Sequence, residues 1–125
     1  MDIHAFWQAV LSQDSAALET FFWPQAVIGW HCSNEQFTVP EFIRANCEYP
    51  GDWAGEIERV HQVGDVLITA THVHTQDGAS HFHVVSFMKL REGRIETLDE
   101  YGCDEGPEPV WRQEMHIGCA LREEK

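Results

Sequence analysis

The chain has 125 residues, 43% of them apolar, which suits a single α+β domain over residues 1–125 with one core. Its 21 acidic and 8 basic residues leave a formal charge of −13. That charge speaks against nucleic acid and against anionic membrane surfaces, since both are held by Lys and Arg.

In chain order, Ile3, Phe6, Trp7, Val10 and Leu11 form one apolar stripe at helical spacing, with Asp2 placed to cap it. Asp14 is placed to cap a second, shorter helix carrying Leu18, Phe21 and Phe22, which Pro24 should stop. Gln25 to Cys32 reads as a strand. Thr38-Val39-Pro40-Glu41 has the spacing of a capping box and opens a helix to about Cys47, bearing Phe42 and Ile43. From Trp53 the period changes to two. Strands are expected at about 54–63, 66–76, 79–91 and 94–103, joined at Gly64-Asp65, Asp77-Gly78 and Glu92-Gly93.

Two-residue turns fix an expected register. They set His72 opposite His83, His74 opposite His81, Ile57 opposite His72, Arg59 opposite Ala70, and Val85 opposite Glu100. One face then carries Arg59, His72, His74, His81, His83, Val85, Phe87 and Glu100. The other carries Leu67, Val73, Phe82, Val84, Met88, Ile95 and Tyr101. A one-residue bulge would flip part of each set. The face rich in ionisable groups is expected beneath the helices, lining a pocket, because buried charges need partners or water. The apolar opposite face also needs cover, and a second copy of the sheet would supply it, so a homodimer is expected.

Cys32, Cys47, Cys103 and Cys119 are scattered, with no CxxC pair, and should be reduced. No stretch is long and apolar enough to span a bilayer, and the first residues do not read as a secretory signal. A cytoplasmic location is therefore expected.

The order helix, helix, strand, helix and four long strands resembles the nuclear transport factor 2-like superfamily, in its SnoaL-like branch. The segments that carry the likeness are Phe6-Trp7-Gln8-Ala9-Val10, Trp30 to Phe37, Phe82 to Phe87, Glu92-Gly93-Arg94-Ile95, Asp99-Glu100-Tyr101-Gly102 and Pro109-Val110-Trp111-Arg112. The resemblance implies a cone: a strongly curved antiparallel sheet wrapped by N-terminal helices around a pocket. It also implies a dimer through the sheet and no cofactor. Its enzymes include isomerases, a dehydratase, epoxide hydrolases and cyclases, while other members only bind ligands.

In the cyclase and epoxide hydrolase members a pocket aspartate follows the Gly-Arg-Ile-like turn at the place of Glu100. Where the epoxide hydrolases use Arg and Asp, this chain has His72 and His74. The family often has Trp where Gly102 stands. The candidate catalytic group is therefore His72, His83 and Glu100, two imidazoles able to move protons at neutral pH and a carboxylate. The candidate ligand-binding residues are Trp30, Cys32, Phe42, Trp53, Arg59, Val85 and Phe87. The four histidines on adjacent strands would suit zinc sterically, but they spread over two rungs, and no metal is expected. Two functions stay open. One is binding of a small apolar or mixed-polarity ligand without chemistry. The other is a cofactor-independent proton-transfer enzyme of the isomerase, dehydratase or cyclase kind.

Overall fold

The computed structural model describes residues 1–122. Helix α1 spans Ile3–Ser12, and the Asp2 side chain accepts from the Ala5 amide at 3.0 Å. Helix α2 spans Ser15–Glu19 and is capped in the same way by Asp14. Helix α3 spans Val39–Cys47. Its capping box is complete: the Thr38 amide donates to Glu41 Oε1 at 2.9 Å, and the Glu41 amide donates to Thr38 Oγ1 at 3.4 Å. A short helix α4, Val110–Glu114, lies near the C-terminus.

Six strands form one curved, open sheet: β1 Phe22–Trp30, β2 Glu35–Phe37, β3 Trp53–Val63, β4 Val66–Thr75, β5 His81–Arg91 and β6 Arg94–Asp104. Their order is β2-β1-β6-β5-β4-β3. All neighbours are antiparallel except β1 and β6, which run parallel. The β5–β6 turn places both Glu92 and Gly93 at positive φ, the geometry of a tight hairpin.

Strand β1 begins three residues earlier than the sequence suggests, and so includes Phe22 and Pro24. Proline lacks an amide donor and normally breaks a strand interior. Here it falls where the β1–β6 register shifts between Phe22 and Val27, so the ladder does not need its N–H. Cys32 leaves the strand for a 3-10 turn over His31–Ser33.

The core lies between the helices and one face of the sheet. Phe6, Leu18, Phe22, Ile28, Phe42, Met88, Ile95 and Leu98 are fully buried there. Each such side chain contributes about 1.5–3 kcal/mol relative to exposure. The covered face is the opposite of the one expected. On β4 the buried positions are Leu67, Thr69 and Thr71; on β5 they are Ser86 and Met88. Val84, Met88 and Ile95 therefore point inward, while the histidines, Val85 and Phe87 point outward. Trp7 Nε1 donates to the buried Thr69 Oγ1 at 3.2 Å and pins α1 onto this face.

Two bulges decide which side chains meet. In β3 the register slips at Glu58, so Arg59 faces Ala70 as the turn implies, but Ile57 faces Thr71 rather than His72. In β6 it slips at Glu96: Leu90 pairs with Ile95, but Lys89 pairs with Thr97. Beyond that point every residue of β6 is displaced by one. Glu100 stands opposite Ser86, and Tyr101 opposite Val85. No helix among the described residues is long and apolar enough to cross a membrane. All four cysteines are free.

Candidate functional site

The ends of α1 and α3 frame an opening above the covered sheet face. Gln13 Nε2 donates to the carbonyls of Asn46 and Tyr49 at 2.9 and 2.8 Å. Asn46 Nδ2 returns a hydrogen bond to the Val10 carbonyl at 3.1 Å. Beneath lies a cavity of about 470 Å³, walled by Trp7, Val10, Leu11, Trp30, Val73, Phe82, Val84 and Gly102. Asn46, Tyr49 and Trp53 line it too, as do Cys32, Ser33, Cys103 and Asp104. Tyr49, Trp53 and Phe82 make an aromatic cluster on its wall, with Trp53 and Phe82 ring centres 5.2 Å apart. The lining is apolar over most of its surface, as in small-molecule sites generally.

Glu100 is the charged group set deepest in that wall. Parallel pairing of β1 with β6 puts it beside Trp30, whose Nε1 donates to Oε1 at 3.1 Å. Antiparallel pairing with β5 puts it beside Ser86, whose hydroxyl donates to Oε2 at 2.6 Å. The residue as a whole is half-buried, but its carboxyl group is enclosed. Burial pushes the carboxyl pKa above the usual glutamate value, and the bonds from Ser86 and Trp30 only partly oppose that. Each carboxylate oxygen keeps a lone pair after these bonds, so the group can still engage one further donor or proton.

Trp30, Cys32, Trp53 and Glu100 thus come together at the cavity. His72 and His83 do not. They face each other across β4 and β5, as the turn implies, but on the outer side of the sheet. The expected His72–His83–Glu100 group is split by the Glu96 bulge, which rotates Glu100 inward. Arg59 is outside as well, its guanidinium 3.1 Å from His61 Nε2. Val85 and Phe87 are exposed on the outer face. Phe42 is fully buried and packs edge-on to Trp30 at 6.2 Å without lining the cavity. Trp7, Val73 and Val84 are not among the expected site residues. Ile95 and Leu98, three apart in β6, are both fully buried on the covered face, as the extra residue at Glu96 allows.

The outer face carries two bands. One holds His72, His74, His81 and His83 near the β4–β5 turn; the other holds Val85, Phe87 and Tyr101. His31 stacks on Tyr101 with ring centres 4.2 Å apart, and its Nε2 lies 2.7 Å from Asp99 Oδ1.

Comparison with known proteins bears on the fold. A candidate ketosteroid isomerase from Kribbella flavida DSM 17836 superposes with a TM-score of 0.80 at 17% identity, covering 97% of this chain and 88% of that one. The chain has the nuclear transport factor 2-like fold, the one that SnoaL-like cyclases share. A nuclear transport factor 2-like protein of unknown function from Burkholderia xenovorans LB400 gives 0.74 at 22% identity, over 94% and 92% of the two chains. A ketosteroid isomerase-like protein from Catenulispora acidiphila DSM 44928, in complex with trimethylamine, gives 0.67 at 14% identity, over 79% and 82%. No family model matches the sequence, and no curated protein does. At these identities the likeness concerns the fold.

Proposed function

We propose that the cavity binds one small molecule with an apolar body and a single polar group, and that Glu100 meets that group. The observation that carries this reading is an enclosed carboxyl, held by Trp30 and Ser86, at the wall of a largely apolar cavity of about 470 Å³. In its neutral form Glu100 would donate a hydrogen bond to a carbonyl or hydroxyl oxygen. In its ionised form it would accept one. The trimethylamine held by the Catenulispora acidiphila protein is in keeping with a small occupant. The test is titration with the neutral fluorescent probe N-phenyl-1-naphthylamine, read by quenching of tryptophan fluorescence, because Trp7, Trp30 and Trp53 all line the cavity. Saturable binding at one site per chain, weakened by a blocking substitution at Gly102, is expected. Absence of saturable binding would overturn it.

A second reading is proton transfer by Glu100 alone. Its raised pKa favours this, since a carboxyl titrating nearer neutrality is a better acid–base catalyst. The carboxylate would take a proton from carbon beside a ligand carbonyl and return it elsewhere on the same molecule. No imidazole assists, because His72 and His83 lie on the other face. Deuterium exchange into a β,γ-unsaturated cyclic ketone, lost in Glu100→Gln, would favour this reading. No exchange by the parent chain would leave binding alone.

We further propose a homodimer through the outer sheet face. Val85, Phe87 and Tyr101 are exposed there, and a second copy would cover them. A cytoplasmic location accords with four free cysteines.

A further inference from the structure

The outer face carries a second, separate cluster. His72 stacks on His81 and on His83, with ring centres 5.0 Å apart in both cases. One His72 nitrogen, one His83 nitrogen and one Glu105 oxygen all lie within 4.8 Å of one another. We propose that His72, His83 and Glu105, with His81 as a further donor, bind one divalent transition-metal ion, zinc by ligand type.

The tautomers carry the argument. His72 Nδ1 sits 2.6 Å from Glu56 Oε1, and a carboxylate only accepts, so Nδ1 bears the hydrogen and Nε2 the lone pair. His81 Nε2 sits 2.9 Å from the Gly78 carbonyl, so its hydrogen is there and its lone pair is on Nδ1. These two lone-pair nitrogens, His72 Nε2 and His81 Nδ1, face each other at 2.8 Å. Two neutral imidazoles so arranged repel. A cation between or beside them removes the conflict.

His83 is the third imidazole. Its Nε2 lies 3.2 Å from both Arg122 Nη2, which donates, and Glu105 Oε1, which accepts, so its neighbours leave either nitrogen able to carry the lone pair. Its Nδ1 points toward Glu58 Oε1 at 3.7 Å. Glu105 completes the set, with Oε1 3.2 Å from His83 Nε2 and Oε2 3.9 Å from His81 Nδ1. Behind the ligands, Glu56 orients the His72 ring and Glu58 flanks His83. Carboxylates in that outer position fix the tautomer and raise the basicity of a metal-bound imidazole.

Imidazole with carboxylate is a zinc donor set, with Zn–N about 2.0–2.1 Å in tetrahedral geometry. Tetrahedral ligand atoms sit about 3.3 Å apart, so the widest pair would close by about 1.5 Å while His72 Nε2 and His81 Nδ1, now 2.8 Å apart, would open by about 0.5 Å. The His72, His81 and His83 side chains are 17%, 33% and 26% exposed, so an ion can reach them from solvent. Arg122 now supplies positive charge beside Glu105, at 2.8 Å, and an ion would take its place.

The test uses the full chain without a histidine tag. Zinc is titrated by calorimetry, and cobalt(II) by its visible spectrum, whose intensity reports tetrahedral coordination. One equivalent of zinc at micromolar affinity or tighter is expected, with about a hundredfold loss in His72→Ala/His83→Ala and about tenfold in Glu105→Gln. A control, His4→Ala/His116→Ala, should bind like the parent. Glu105→Gln decides the matter if the double histidine variant fails to fold by circular dichroism. Absence of saturable zinc binding by the parent would overturn the proposal and leave a shared proton between His72 and His81. Parent-like affinity in Glu105→Gln and His72→Ala/His83→Ala would also overturn it.

Discussion

Ser86 and Glu100 face each other across β5 and β6, and the Ser86 hydroxyl donates to Glu100 Oε2 at 2.6 Å. That contact and the one from Trp30 hold a carboxyl where water is scarce, and they set how the fold answers to pH.

Burial raises the folded-state pKa of Glu100 above its ordinary value of 4.5. The stability linked to this group is therefore complete below the unfolded value and is lost as pH rises through the raised folded value. Glu100→Gln removes that loss. Urea unfolding of parent and variant at a series of pH values should show the variant gaining on the parent as pH rises above about 4.5. Parallel curves would mean that the carboxyl is not desolvated.

Ser86→Ala takes away one of two donors that lower the Glu100 pKa. The pKa should rise further, and the fold should lose about 1–3 kcal/mol at pH values where the carboxyl is ionised, the cost of an unmade hydrogen bond to a buried charge. Most of the loss should vanish as pH falls below the raised pKa, where the carboxyl is neutral. A loss independent of pH would point to packing alone.

Gly102 lines the cavity, and a side chain there would first meet His83 O and Val84 Cγ2 at 3.6 and 3.7 Å, ordinary contact distances. Gly102→Trp should therefore fold and fill the cavity. N-phenyl-1-naphthylamine affinity should fall by about tenfold or more, which corresponds to about 1.4 kcal/mol. The unfolding midpoint should change little. Unchanged affinity would place the probe elsewhere.

Phe87 is 39% exposed on the outer face beside Tyr101. If that face meets a second copy, light scattering at micromolar concentration gives twice the chain mass, and Phe87→Glu gives a monomer with an unchanged circular dichroism spectrum. A monomeric parent chain would remove the sheet-to-sheet dimer.

Much of this molecule can be read from local chemistry. Asp2, Asp14 and Thr38 with Glu41 mark three helix starts, because each supplies an acceptor for otherwise unpaired amides. The Asp77-Gly78 turn fixes His72 opposite His83. What local chemistry does not reveal is the choice of face. Alternation tells which residues share a side, but not which side the helices cover. Histidine polarity argued for a pocket, yet the small hydroxyls of Thr69, Thr71 and Ser86 are the ones that fit inside. The Glu96 bulge is equally silent in hairpin arithmetic, since the Glu92-Gly93 turn itself is regular and the slip comes later.

That slip has an evolutionary reading. One inserted codon in β6 turns the strand's outer half about its own axis, and so exchanges pocket and surface without any substitution. Without Glu96, the same Asp99-Glu100-Tyr101 segment would send Asp99 and Tyr101 into the cavity and Glu100 out to the histidines. Related chains that differ by a single insertion or deletion at this bulge could then carry different chemistry under nearly identical sequences. Aligning them by residue identity alone would match their carboxylates wrongly.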